Sequence, residues 1–380
     1  MQNYDAVVVG LGGVGSAAVY HLAARGAKVL GIERFTAAHD RGSSHGQTRI
    51  IRKAYFEHSD YVPLLDEAYR LWHELQSRGG RQLFHQTGLL QIGPADGEVV
   101  RGVLQSAEQH SLAVETLTPG DIQQRFPGFN VPHGAVGVFE PGAGYLLVED
   151  CVQAHLEQAA DAGAELRFNT AVDAWRADGS GVVVTCGGET VSTGAIVITT
   201  GAWSVPLLAE LDVELKVLRK HLHWFANENK AYREQSGCPA FLYDLPQGVY
   251  YGFPQIDGRG VKMAEHSGGE VVSDPLQFSR EFDPAEHQRV TNFRGAYLPG
   301  ASSRSTDHAV CMYTMSPDAH FIVDRHPEHR QVVFAAGLSG HGFKFTSVLG
   351  KALADLACDG RTELPIGFLG LDRPGLGRGG

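Results

Sequence analysis

The 380-residue chain carries a formal charge of −11 and is 43% hydrophobic, the balance of a soluble folded protein long enough for two domains. Its acidic excess argues against nucleic acid or an anionic membrane as a general partner, so an anionic ligand would need a local cationic pocket. The five cysteines (Cys151, Cys186, Cys238, Cys311 and Cys358) are odd in number, widely spread and without a C-x-x-C pair, which points away from a disulfide framework or zinc site and toward a reducing compartment.

In chain order, Asp5-Ala-Val-Val-Val-Gly10 predicts a short buried parallel strand. Gly10, Gly12 and Gly15 then form a G-x-G-x-x-G loop, with Gly13 and Val14 inside it, and residues 14–25 continue with helical apolar spacing up to Gly26. Glycines in this pattern allow a tight turn, close approach of a pyrophosphate and close helix–strand contact. The free N–H groups and dipole of the helix start favour the phosphates. Lys28-Val-Leu-Gly-Ile-Glu33 predicts a second strand ending on an acid placed to bond ribose hydroxyls. Together these elements point to a dinucleotide, and Glu33 disfavours one with a 2′-phosphate. Residues 42–52 gather His45, Arg49 and Arg52 beside Ser43, Ser44 and Thr48, and read as a loop or helix start. A helix is predicted over 60–75, with Leu64, Leu65, Ala68, Leu71, Trp72 and Leu75 on its inner face and Gly79 as the stop. Trp72 reads as core.

Residues 166–172 lead to Val172 and offer backbone to an adenine; 182–186 and 190–201 predict strands, the second running into Thr-Thr-Gly-Ala-Trp203. That ending is similar to the second nucleotide-contact motif of FAD oxidoreductases. Further strands are predicted at 222–226, 248–253 and 259–266; in the last, Lys262 and His266 share a face by period two. Residues 332–337 predict a strand entering Gly337-Leu-Ser-Gly-His-Gly-Phe-Lys344, followed by a helix over 345–358. A helix start there can aim N–H groups at the end of an isoalloxazine where charge accumulates on reduction. A third nucleotide segment so far along the chain favours FAD over NAD. The glycine-rich tail 373–380 reads as loosely held. With no basic leader, no apolar run of the ~20 residues that span a bilayer and no metal-ligand spacing among the histidines, the sequence reads as a cytoplasmic protein without a metal.

The segments Gly42-Ser-Ser-His-Gly-Gln-Thr-Arg-Ile-Ile-Arg52, Val249-Tyr-Tyr-Gly-Phe-Pro254, Gly260-Val-Lys262 with His266, Ala309-Val-Cys-Met-Tyr-Thr-Met-Ser-Pro-Asp318 and 337–344 occur in one order. In this the chain resembles the monomeric sarcosine oxidase and N-methyltryptophan oxidase family over essentially its whole length. The resemblance implies FAD bonded through its 8α carbon to the Cys311 sulfur. It also implies that Arg49 and His45 lie at the flavin ring, both favouring its electron-rich reduced form. Arg52 and Lys344 would bind the substrate carboxylate, an Arg fork beside a Lys point charge. Lys262 would activate dioxygen, since a fixed cation favours transfer of the first electron. Tyr251 and His266 would line the substrate cavity. To cofactor binding it assigns Arg34, Ser43, Ser44, Thr48, Ile50, Val172, Thr200, Gly201, Trp203, Met312, Tyr313, Gly340, His341, Gly342 and Phe343, beside the glycine loop and Glu33. A monomer is implied by the family name.

The expected fold is α/β, a Rossmann-like FAD domain (1–80, 145–215 and 320–380) with a mostly antiparallel substrate domain (81–144 and 216–319). The expected reaction converts sarcosine, dioxygen and water to glycine, formaldehyde and hydrogen peroxide. Residues 248–254 and 311–318 are closer to the sarcosine branch. Residues 93–97 and 266–269 are similar to the N-methyltryptophan branch, and pipecolate or N-methylalanine are further candidates. Leu242 stands where a sarcosine oxidase typically has methionine, and Gln47 where an acid is usual; both put the pocket's shape in question. The rival readings are a dehydrogenase with a non-oxygen acceptor, a noncovalent D-amino acid or glycine oxidase, and a non-catalytic flavin-binding protein.

Overall fold

The expected first strand is Asn3–Val9, which lies inside a mainly parallel sheet in a computed structural model describing residues 3–376. It pairs in parallel with Val29–Ile32 on one side and Glu189–Ile198 on the other. Glu165–Arg167 and Val332–Ala336 extend the parallel order outward, while the Val172–Asp178/Gly181–Cys186 hairpin and Ile322–Arg325 add antiparallel edges. Val7, Val8 and Val9 are all buried, the pattern of a strand covered on both faces. Gly13–Ala24, Val148–Asp161 and Thr346–Asp359 form a helical layer in one core with Val62–Gly79. A Cβ on Gly350 would overlap that of Ala17, so this glycine sets how closely the last helix approaches the first.

The second sheet has nine strands. From its edge it runs Glu270–Val271, Lys216–Phe225, Val261–Glu265, Gly248–Phe253, Ala240–Leu245, Leu89–Pro94, Ala135–Glu140 and Glu115–Leu117, with Ser305–Met315 also on Lys216–Phe225. All pairings are antiparallel except Ala240–Leu245 with Leu89–Pro94. Val261 and Met263 join one core, whereas Ala264 joins the other, with Leu222, Trp224, Tyr251, Cys311 and Tyr313. This alternation turns Lys262 and His266 toward that second core, as period two requires.

Residues 42–47 are the loop expected of them, but 48–51 depart from it. Thr48–Ile51 is a strand pairing antiparallel with Gly144–Leu147 in a three-stranded sheet completed by Phe84–His85. Thr48, Ile50 and Ile51 are β-branched and suit the pleat better than a helix. The tail departs too: Arg373 is forked onto Asp318 at 2.7 and 3.0 Å, and Leu376 is buried. Residues 377–380 of that expectation lie outside the described residues.

The predicted helix at 60–75 is Val62–Gly79, closed by Gly80 in the left-handed conformation at φ +63°. Trp72 is 1% exposed, in the core as expected, and its Nε1 donates to the Lys344 carbonyl at 2.9 Å. Trp72→Phe is expected to keep the packing but leave that carbonyl unpaired, costing about 1–3 kcal/mol in denaturant unfolding. An unchanged midpoint would show that the bond carries no stability.

Candidate active site

Between the two sheets lies a cavity of about 840 Å³, the size range of cofactor and ligand sites. The glycine loop forms one end. Gly10 has φ +84°, and a Cβ there would meet the Thr199 carbonyl oxygen at 2.8 Å. A Cβ on Gly13 would meet Thr346 Cγ2 at the same distance. Gly15 does not line the cavity; its missing Cβ makes room for the Gly10 carbonyl where helix meets strand. The first helix has no side-chain cap at Gly12, and the Gly13 amide donates to Ser44 Oγ at 3.1 Å. Glu33 is buried on the wall, accepting from the Leu11 and Phe35 amides at 2.7 and 3.0 Å, with His39 Nε2 at 3.3 Å. Burial opposes its charge, but His39 and the two amides hold its carboxyl below the usual range. A glycine cradle, an uncapped helix start and an ionised acid fit the diphosphate and ribose of FAD.

Gly12, Val14, Arg34, Ser43, Val172, Thr200, Gly201 and Trp203 also line this end. Arg49, Ile50, Met312, Tyr313, Gly340, His341, Gly342 and Phe343 line it toward the other. Arg52, Tyr251, His266 and Lys344 do so as well, whereas His45, Thr48, Lys262 and Cys311 stand behind the wall. Cys311 is buried in Ser305–Met315 beside two wall residues, Met312 and Tyr313, and directly across from Lys220. Arg49 donates to the Thr48 and Ser43 carbonyls, both at 2.9 Å. Although desolvation opposes it, nearby Cys311, Tyr251, Tyr313 and Glu149 raise its tendency to hold its proton.

The two proposed carboxylate ligands, far apart in sequence, flank one ring. The Arg52 guanidinium is 4.2 Å and the Lys344 ammonium 5.1 Å from the centroid of Tyr55. Lys344 Nζ donates to the His341 carbonyl at 2.8 Å and lies 3.4 Å from Tyr55 Oη. Burial and the Arg52 charge push the Lys344 ammonium down to about 7. His341 Nε2 faces the Ala319 carbonyl at 3.0 Å and so carries the ring proton, leaving Nδ1 to accept from Tyr55 Oη at 2.6 Å. The sequence reading missed Glu57. Both its oxygens accept from Arg52 at 2.8 and 2.7 Å, and Arg52 also donates to the Ala54 carbonyl at 3.0 Å. Against the burial that opposes it, Arg52 holds the Glu57 carboxyl down at about 2. The cluster around Tyr55 thus holds two cations and one anion, a net charge of +1 when Lys344 is protonated. Its only sequence signal was an acid five positions after the arginine.

Burial also sets the charge state of two histidines. Desolvation, with Arg49 nearby, lowers His45 to about 3; desolvation, with Lys220 nearby, lowers His266 to about 3. Burial and the neighbouring cations thus favour the neutral form of both rings. His266 Nδ1 lies 3.3 Å from Tyr313 Oη and its ring 6.3 Å from that of Tyr251. Phe56 and Leu242 complete the apolar wall.

The chain matches the FAD-dependent oxidoreductase (DAO) family model over residues 5–356. It is 38% identical over 379 residues to a monomeric sarcosine oxidase of Bacillus sp. strain B-0618, covering 98% of this chain and 97% of that protein. It is equally identical over 376 residues to an N-methyl-L-tryptophan oxidase of Yersinia pestis strain Pestoides F, covering 98% and 100%. Among solved structures, NikD, an unusual amino acid oxidase essential for nikkomycin biosynthesis, superposes with a TM-score of 0.85 at 26% identity, covering 97% and 98%. The glycine oxidase of Geobacillus kaustophilus shares the fold, with a TM-score of 0.82 at 22% identity over 98% and 99%.

Proposed function

The chain belongs to the family of FAD-dependent oxidoreductases that includes the sarcosine and N-methyl-L-tryptophan oxidases, and from that premise we propose that it oxidatively demethylates sarcosine. It is an FAD-dependent oxidase of N-methyl amino acids. The reaction is N-methyl amino acid, dioxygen and water to amino acid, formaldehyde and hydrogen peroxide. Bound FAD supplies the two-electron chemistry, taking a hydride equivalent from the N-methyl carbon and passing the electrons to oxygen. The observation that carries the substrate class is the junction of Arg52, Glu57 and Lys344 around Tyr55 at one end of the cavity.

In this reading Lys344 and Arg52 hold the carboxylate, and their charge favours the neutral form of the substrate amine. Only that form has the nitrogen lone pair that drives loss of hydride. Tyr251, His266, Leu242 and Phe56 wall the amine end and exclude water. Arg49, on the cavity wall, would face the flavin as a fixed positive charge, and Lys262 would serve the oxygen step as another. Cys311 would hold the cofactor through a thioether to its 8α carbon, a bond whose formation would release the thiol hydrogen and one methyl hydrogen, two electrons and two protons, to dioxygen as hydrogen peroxide. The reading places the protein in the cytoplasm as a monomer.

The pH dependence has a defined sign. Lys344 is charged below about 7 and loses its proton as pH rises through that value. A bound carboxylate favours the charged form, so binding takes up a proton in the alkaline range. The inhibition constant of an amine-free carboxylate such as propionate is expected to be flat below about pH 7 and to rise above it. A value constant from pH 6 to pH 9 would remove Lys344 from carboxylate binding. Turnover should also fall toward acid, where the substrate amine keeps its proton. The substrate assignment is tested by measuring peroxide and formaldehyde with sarcosine, N-methyltryptophan, N-methylalanine and pipecolate. Highest kcat/KM with sarcosine is expected; preference for N-methyltryptophan would assign the other branch.

A further inference from the structure

Gly46 and Gln47 are consecutive residues in the left-handed region, at φ +85° and +76°, a conformation glycine accepts freely and glutamine does not. One charged side chain grips this turn from each side. From one, the Glu149 carboxylate accepts the Gly46 amide at 2.6 Å and the Gln47 amide at 3.1 and 3.2 Å. From the other, Lys262 Nζ donates to the Gly46 carbonyl at 2.5 Å, the Thr48 carbonyl at 2.9 Å and Thr48 Oγ1 at 3.0 Å. The Gln47 carbonyl accepts the Val148 amide at 2.9 Å, the first amide of the helix that bears Glu149. Gln47 itself is fixed by Trp224 Nε1 at 3.0 Å and Asp257 at 2.7 Å.

Lys262 is 1% exposed, and its three acceptors are two carbonyls and a hydroxyl, all uncharged. The rings of Phe253 and Trp224 lie 4.8 and 5.4 Å from its nitrogen. The groups facing it from neighbouring elements are Arg49, Arg259, His45, Cys311 and Glu149, and Glu149 is the one carboxylate among them. The 46–47 peptide points its oxygen at the ammonium and its hydrogen at the carboxylate, so the counter-charge acts through that dipole at low dielectric.

We propose that Glu149 is a positioning residue for Lys262, fixing its ammonium in place and supplying its counter-charge across the 46–48 turn. This rests on the reading of Lys262 as the cation of the oxygen step. Burial lowers the ammonium well below its ordinary value, Arg49 lowers it further, and Glu149 opposes both. Without that carboxylate Lys262 would stand neutral over more of the working pH range. The turn would also lose the anchor of the Gly46 amide and of strained Gln47, two positions before Arg49.

The test uses Glu149→Gln, whose carboxamide oxygen can still accept the two amides but carries no charge, with Glu149→Asp as the charge-keeping rescue. In the flavin-loaded protein with 13Cε-labelled lysine, the Lys262 resonance is identified by its loss in Lys262→Met and followed against pH. Its midpoint is expected to fall by about one unit or more in Glu149→Gln and to return toward wild type in Glu149→Asp. Reoxidation of the flavin by dioxygen should slow about tenfold in Glu149→Gln, while its anaerobic bleaching by sarcosine changes less than about twofold. A Lys262 midpoint that does not move, or equal slowing of both half-reactions, overturns the proposal. Unchanged reoxidation in Lys262→Met would instead overturn the assignment of Lys262, whatever the resonance shows for Glu149.

Discussion

Lys344→Met is expected to lower kcat/KM for sarcosine on the order of a hundredfold, mainly through KM, without lowering stability. With Arg52 already forked onto Glu57, the site has charge left for one carboxylate only when Lys344 is protonated. Methionine fills a similar space and leaves the Arg52–Glu57 pair neutral overall. Losing one charged, buried hydrogen bond to a bound anion costs about 3 kcal/mol, which corresponds to roughly that factor. The protein itself loses little, because burial already disfavours the lysine's charge. As pH rises from about 7 toward the ordinary lysine value, the folded protein has shed this proton while the unfolded chain retains it. Stability should therefore rise with pH across that window in the wild type, and this rise should vanish in the variant. Arg52→Met makes the contrast: it strands the Glu57 carboxylate in the interior and is expected to destabilise by about 3–5 kcal/mol. Steady-state kinetics and urea unfolding of the two variants separate the roles. If Lys344→Met binds sarcosine as tightly as wild type, the clamp is elsewhere.

Cys311→Ala is expected to abolish the covalent attachment while leaving the cavity intact. Acid precipitation should give a colourless pellet and yellow supernatant, against a yellow pellet for wild type. The denatured wild-type chain should be heavier than the variant by one FAD less two hydrogens, beyond the side-chain difference. Cys311 lies behind the wall and the diphosphate cradle does not involve it, so the variant should still take up FAD reversibly. Losing the thioether makes the flavin a weaker electron acceptor, and bleaching by sarcosine should slow about tenfold or more, a barrier change of about 1.4 kcal/mol. A yellow pellet from Cys311→Ala would move the bond to another residue.

Much of this arrangement was legible because its causes are local. The glycines between Val9 and Val14, the acid ending the second strand and the helix after Lys344 announce themselves by spacing, and Asn3–Val9, Val29–Ile32 and Thr346–Asp359 follow them closely. Within residues 42–52 the charges obscure the strand signal that Thr48, Ile50 and Ile51 carry. Other features depend on contacts that no spacing reveals. Glu149 reaches the 46–48 turn from about a hundred positions away, and the pairing of Arg52 with Glu57 requires the chain to fold back over Tyr55. Charge state was the least legible property. His45 and His266 read as polar participants, yet burial among cations favours the neutral form of both. The Arg373–Asp318 fork likewise anchors a segment whose glycines suggested a loose end.

The most direct measurement mixes the purified yellow protein with sarcosine in the absence of oxygen, follows the flavin absorbance, then admits air and counts products. The account predicts bleaching that saturates with sarcosine, followed by recovery of colour with one formaldehyde, one glycine and one hydrogen peroxide per turnover. A flavin that keeps its colour with sarcosine and every other N-methyl amino acid, or that bleaches without releasing formaldehyde, would contradict it.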